Sequence, residues 1–304
     1  MEFCTRLANQ LMLKKVEEHE EKNSVVSPVS INAVLNMVAA GSKGATLDHF
    51  FALLESKMVK DINSESSKMM AVAADVGLDS ANNGAEDNDG ISPVLAMVNG
   101  AWFDQRFPLK PSYGEGILKG IFNCEAKTVH FATQAEQVRE EINAWAEAAS
   151  RGLIKDFLEP DSPSLEAALV LPRKYFNLYH NELDQFWIPK FKFSYGFDVL
   201  KSMRDMGTSS SFLTNPKDLS EMMHVPEDVH EFVPNMIQKA FIEIDEKGTE
   251  AAAVTEFSDE MGCSLQEPER TSFVADHPFV FMIREATSGL VFFTGAVLDP
   301  SQRN

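Results

Sequence analysis

The chain has 304 residues, 44% of them hydrophobic, enough for one large globular domain with a substantial core. With 27 basic against 46 acidic side chains its formal charge is −19, which argues against nucleic acid or an anionic membrane as partner. Three scattered cysteines (Cys4, Cys124 and Cys263) make neither a disulfide framework nor a CxxC metal site. They read as reduced thiols in a cytosol-like compartment.

The opening segment repeats Phe3, Leu7, Leu11 and Val16 at helical spacing and has no apolar run of signal-peptide length. In "SVVSPVSINAVLNMVAAGSKGAT" (24–46), Ser27 can cap a helix, Pro28 suits its first position, and Gly41 is a natural stop. Ile31, Val34, Leu35 and Val38 form the buried stripe. The Gly-Ser-Lys-Gly run at 41–44 lacks the spacing and preceding strand of a phosphate loop. Residues 47–54 read as a short helix, and 79–92 as loop.

"PVLAMVNGAWF" (93–103) has the composition of a buried strand, and "VREEINAWAEAASRGLI" (138–154) is an amphipathic helix with Val138, Ile142 and Trp145 on one face. Phe191, Phe193 and Tyr195 alternate with Lys192 and Ser194, a strand with one wet face. A second strand alternates through Phe241 and, less cleanly, Ile242 to Ile244. The chain closes on a hairpin turning at Ala286 to Gly289. Helices early and strands late define an α+β class.

No GxSxG, HExxH or GxGxxG pattern is present, and His224 and His230 have no cysteine cluster beside them. Nothing in the pattern points to an enzyme, a metal or a cofactor. The unusual tract is "FIEIDEKGTEAAAVTEFSDEMGCSLQEPER" (241–270), where a strand leads into a segment with little to bury. Gly248 permits a hinge. With strand alternation Thr249, Ala251, Ala253 and Thr255 share one small uncharged face, while Glu250, Ala252, Val254 and Glu256 share the other. Such a segment suits insertion into a close-packed sheet, though on the tract alone an Ala-rich surface loop or short helix is the simpler reading.

Six stretches carry a resemblance: residues 24–46, "VNGAWFDQRFPLKPSY" (98–113), "INAWAEAASRGLI" (142–154), "IPKFKFSYGFDV" (188–199), "KAFIEIDEKGTEAAAVT" (239–255) and "FVADHPFVFMIRE" (273–285). The sequence resembles the serpins, most closely plant serpins. The resemblance implies one α+β domain over 1–304, with helices packed on a large main sheet and smaller sheets, and a reactive-centre loop over 245–272. It implies that a serine or cysteine protease attacks the loop, which then inserts as a new strand and distorts the tethered enzyme. Gly248 to Thr255 match the family's inhibitory hinge. The family's spacing puts the reactive bond at Gly262–Cys263, with Met261 as the alternative, and the absence of Arg there argues against a trypsin-like target. On insertion Asp259 would fall on the inward face of the new strand, a costly place for a carboxylate.

The resemblance also shows a departure. Leu171 passes straight to Pro172 and Arg173, where family members continue the strand, so a block of strands and a helix is missing near 171–187. Ser27 and Ser30 match helix members of the family's polar sheet-opening cluster. Its Asn belongs to the missing strand, and its His is replaced by Gln238. The expected protein is a monomeric protease inhibitor without cofactor, cytoplasmic or nucleocytoplasmic, with an extracellular site implied by the family. The alternative is a non-inhibitory interaction or storage protein, or a truncated isoform, that is merely cleaved.

Overall fold

The computed structural model describes residues 3–4, 6–8, 10–11, 22–82, 97–158, 183–205, 207–208, 213–230, 236–244 and 271–302. Helix α1, Pro28–Ala40, is built as its sequence dictates. Ser27 is extended, and its hydroxyl accepts the Ser30 backbone N–H at 3.3 Å. Pro28 gives up no hydrogen bond at a position whose N–H has no helical partner. Ile31 and Leu35 are completely buried. Gly41 caps the end, but not through a left-handed backbone, since its φ is −104°. A Cβ there would lie 2.6 Å from Met222 Cβ, so close packing requires the glycine.

Helix α2, Gly44–Leu54, begins where the Asp218 carboxylate accepts both the backbone N–H and the hydroxyl of Thr46. Helix α3, Val59–Asn82, runs four residues into the segment expected to be loop. Extending an existing helix adds a hydrogen bond per residue and needs no new nucleus. Asn36 Nδ2 donates to Ser66 Oγ at 2.8 Å, tying α1 to α3 in the interior.

Strand β2, Asn99–Asp104, pairs in parallel with β3, Cys124–Val129. A helical segment over 111–122 makes the crossover between them. Helix α4, Phe131–Ala149, buries Val138 and Ile142. Trp145 is only half-buried, and its indole N–H donates to Glu125 Oε2 at 2.8 Å. Strand β4, Leu183–Trp187, pairs in parallel with β7, Thr271–Val274. Strand β5, Phe191–Asp198, pairs antiparallel with β6, Ile237–Ile244, from Phe191↔Ile244 to Asp198↔Ile237. Helix α5, Val199–Asp205, follows β5 directly.

The structure fixes the alternation of β6, which the sequence shows only uncleanly. Gln238, Ala240 and Ile242 are buried, while Phe241 faces outward with Lys192 Nζ over its ring at 5.4 Å. Pairing sets the phase: Phe241 lies opposite Ser194, on the wet face of β5. The last hairpin, β8 (Phe279–Arg284) and β9 (Val291–Val297), joins β1 (Ser24–Val26) in the order β1-β9-β8. The main core gathers α1, α3, α5, the 111–122 segment and Phe292.

Candidate functional site

Among the described residues, β2 hydrogen-bonds to β3 alone and β6 to β5 alone. A cleft of about 80 Å³ lies where the other edges of β2 and β6 approach, with Ser30 and Val34 of α1 on one side and Trp145 of α4 on the other. Two of the three cluster residues read from the sequence, Ser30 and Gln238, line it. Ser27 sits at the cap of α1, its hydroxyl accepting the backbone N–H of Ser30.

Gln238 is only 3% exposed, and among the described residues its side-chain Oε1 has no hydrogen-bond partner. A buried acceptor without a donor costs on the order of 1–3 kcal/mol. Trp102, which also lines the cleft and is 4% exposed, has no partner for its indole N–H among the described residues. The sequence reading found the strand carrying Trp102 but not this role. Its signal was a tryptophan in an apolar strand, and that alone does not say which edge stays open. Trp102 meets Trp145 edge to face, ring centres 4.8 Å apart at 77°. Gly100 makes the room, since a Cβ there would meet both indoles within 2.6 Å.

Lys239, next along β6, closes the cleft at its rim. Its ammonium donates to the carbonyls of Lys155 and Asp156 at 3.0 and 2.9 Å, strapping the chain after α4 onto β6. The cleft therefore carries largely apolar walls, with the nearby cation already engaged.

The remaining expected positions, Gly248, Thr249, Glu250, Ala251, Ala252, Ala253, Val254, Thr255, Met261, Gly262 and Cys263, lie outside the described residues, as does the junction near 171–182. The tract leaves β6 at Ile244 and rejoins the described structure at Thr271. Cys4 and Cys124 are free and buried, and burial pushes the Cys124 thiol up to about 12, so neither is a ready nucleophile. Among the described residues no three His, Cys, Asp or Glu side chains gather as a metal site, and no helix is long and apolar enough to cross a membrane.

Beyond the cleft, the β4–β7 ribbon presents Phe186, Trp187, Phe273 and Val274 at 47–66% exposure. A two-stranded ribbon normally packs such side chains against further strands or a helix.

An α+β architecture whose sheets have open edges among the described residues fits an incomplete serpin. The chain belongs to the serpin (serine protease inhibitor) family, whose model matches residues 1–179 and 173–300. It is 29% identical to Serpin-ZX of Arabidopsis thaliana over 376 aligned positions, covering 92% of this chain and 93% of that protein. The aligned length exceeds the 304 residues here, so the relative carries residues without counterpart. The chain is 31% identical to a probable non-inhibitory serpin-Z5 of the same plant, covering 93% of this chain and 80% of the relative. The solved structure of Arabidopsis AtSerpin1 in its native stressed conformation superposes with a TM-score of 0.74 at 25% identity, covering 98% of this chain and 97% of that one. The fold is that of a serpin, shorter than full members of the family.

Proposed function

We propose that this chain is an inhibitor of serine-type, or cysteine-type, endopeptidases that acts as a suicide substrate. A protease cleaves the loop at Gly262–Cys263, or beside Met261, and the hinge Gly248 to Thr255 enters the main sheet next to β6. The observation that carries the reading is the hinge composition itself: one face of Thr249, Ala251, Ala253 and Thr255, small enough for a packed sheet, placed directly after β6. The cleft beside β6 supplies a free strand edge among the described residues. Insertion adds backbone hydrogen bonds and buried surface, and that gain must arrive before the acyl-enzyme hydrolyses. The chain needs no cofactor and acts as a monomer.

A second reading rests on different observations. The unpartnered Gln238 Oε1 and the exposed β4–β7 ribbon support an expectation that a block is missing near 171–187. One relative carries the description probable non-inhibitory serpin. On this reading the loop is cleaved as ordinary substrate, and the protein serves interaction or storage.

Incubation with a panel of serine and cysteine proteases separates the two. Inhibition gives an SDS-stable complex of higher mass, lost in Thr249→Arg because a guanidinium cannot enter the packed face. Cleavage near Gly262 without any such complex, for every protease tried, would falsify inhibition and establish the second reading.

A further inference from the structure

A second cavity, of about 50 Å³, lies within the main core, between α1, β2, the 111–122 segment and the chain around Leu219 and Met236. We infer that it binds a small apolar molecule of two or three heavy atoms. Strand alternation separates it from α4: Ala101 and Phe103 of β2 line it, while Trp102 between them packs on Trp145. Tyr113 carries the one hydroxyl or other hydrogen-bonding side chain among the described lining residues, apart from thioethers, and it already donates to the Met37 carbonyl at 2.7 Å. None of the described buried side-chain N or O atoms without a partner belongs to a lining residue. A buried water needs roughly two to four polar partners, and apolar cavities without them stay dry.

The walls are held apart. Met222 and Tyr113 already crowd Gly41, where a Cβ would come within 2.8 Å of both, and the hydroxyl of Tyr113 ties its ring to α1. A void that stays open forfeits dispersion contact along its lining, which an apolar occupant restores. Met37, Met222, Met223 and Met236, each no more than 6% exposed, make part of the wall from flexible thioethers that adapt to an occupant. Size follows by proportion: a cavity of roughly 150 Å³ takes the six carbons of benzene. About 50 Å³ therefore takes two heavy atoms, and three where the methionines give way. Binding here requires neither the loop nor a protease, so its failure would leave the inhibitor proposal untouched.

Xenon and cyclopropane are the probes, read through the methionine methyl resonances of the intact protein. Both give saturable shifts at Met37, Met222, Met223 and Met236, while the exposed Met58 and Met282 stay unmoved. Ethanol has the three heavy atoms of cyclopropane, but its hydroxyl would lose its hydration, so it binds at least about tenfold more weakly. Ala101→Val puts two further carbons into the cavity and weakens cyclopropane at least about tenfold. Val38→Ile adds one carbon and weakens it about threefold. The Val38→Ile and ethanol arms decide the matter if Ala101→Val folds poorly. Shifts that rise linearly without saturating, equal shifts at Met58 and Met282, equal binding of ethanol, or an affinity unchanged in Val38→Ile each overturns the inference.

Discussion

Helix α1 and the β4–β7 ribbon use similar side chains with opposite outcomes. In α1, Ile31 and Leu35 are completely buried beneath strands, helices and the 111–122 segment. In the ribbon, Phe186 and Trp187 stand 60% and 66% exposed, with Phe186 against Phe273 across the pair. The difference does not lie in local sequence, for both segments are strongly apolar. It lies in what the rest of the chain supplies as cover: among the described residues β4 and β7 pair only with each other. Stability should therefore be concentrated in the α1 half, while the ribbon adds association tendency and little folding energy.

The sharpest way to break this comparison is a pair of truncations. Leu35→Ala removes a completely buried side chain and should cost roughly 3 kcal/mol. Trp187→Ser should change stability by less than about 0.5 kcal/mol, because most of its surface is already wet. The same substitution should lower binding of a hydrophobic dye. Urea unfolding of both variants measures the ratio. A comparable loss in Trp187→Ser would mean that the ribbon is covered in solution.

Smaller effects test how α1 and the cleft differ. Ser27→Ala removes the cap on α1 and should cost about 1 kcal/mol. Gln238→Met should do the reverse: it deletes an acceptor with no donor, raising stability by up to about 1 kcal/mol. Parallel thermal melts read the two signs. A loss of stability in Gln238→Met would show that Oε1 finds a partner in solution and that the cleft is better satisfied than its geometry states.

These signs also mark what the sequence could express. Ser27, Pro28 and the stripe Ile31, Val34, Leu35 lie within a few turns, so spacing alone defines the helix and its buried face. The serpin resemblance brought Ser30 and Gln238 into view as members of one cluster, and the fold places both at the cleft. Trp102 stayed hidden because its unsatisfied N–H depends on which edge of β2 lacks a neighbour, a property of strands far apart in the chain. The facing of Phe241 was not legible for a related reason: it and Ile242 are adjacent apolar residues on opposite faces of β6, and only the register with β5 decides which turns inward.

The smallest expected effect lies in the β8–β9 turn, where local chemistry suffices without distant cover. Glu285 accepts the backbone N–H of Thr287 at 2.6 Å and that of Ser288. Hydrogen bonds from Ser288 are the leading cause that holds its carboxyl down at about 2, well below the ordinary glutamate value of 4.5. The sign follows from the depressed folded value: the contribution is present above about 4.5, declines as pH falls from there toward 2, and is gone below. Water screens this exposed turn, so the effect on global stability is slight. Carbonyl-detected NMR titration should find the Glu285 carboxyl still ionised at pH 3, and Glu285→Gln should flatten only the part of the stability curve between 4.5 and 2. If Glu285 instead titrates with the bulk of the glutamates, the turn does not hold its hydrogen bonds in solution. The contrast between locally written and distantly written structure would then fail at its most local point.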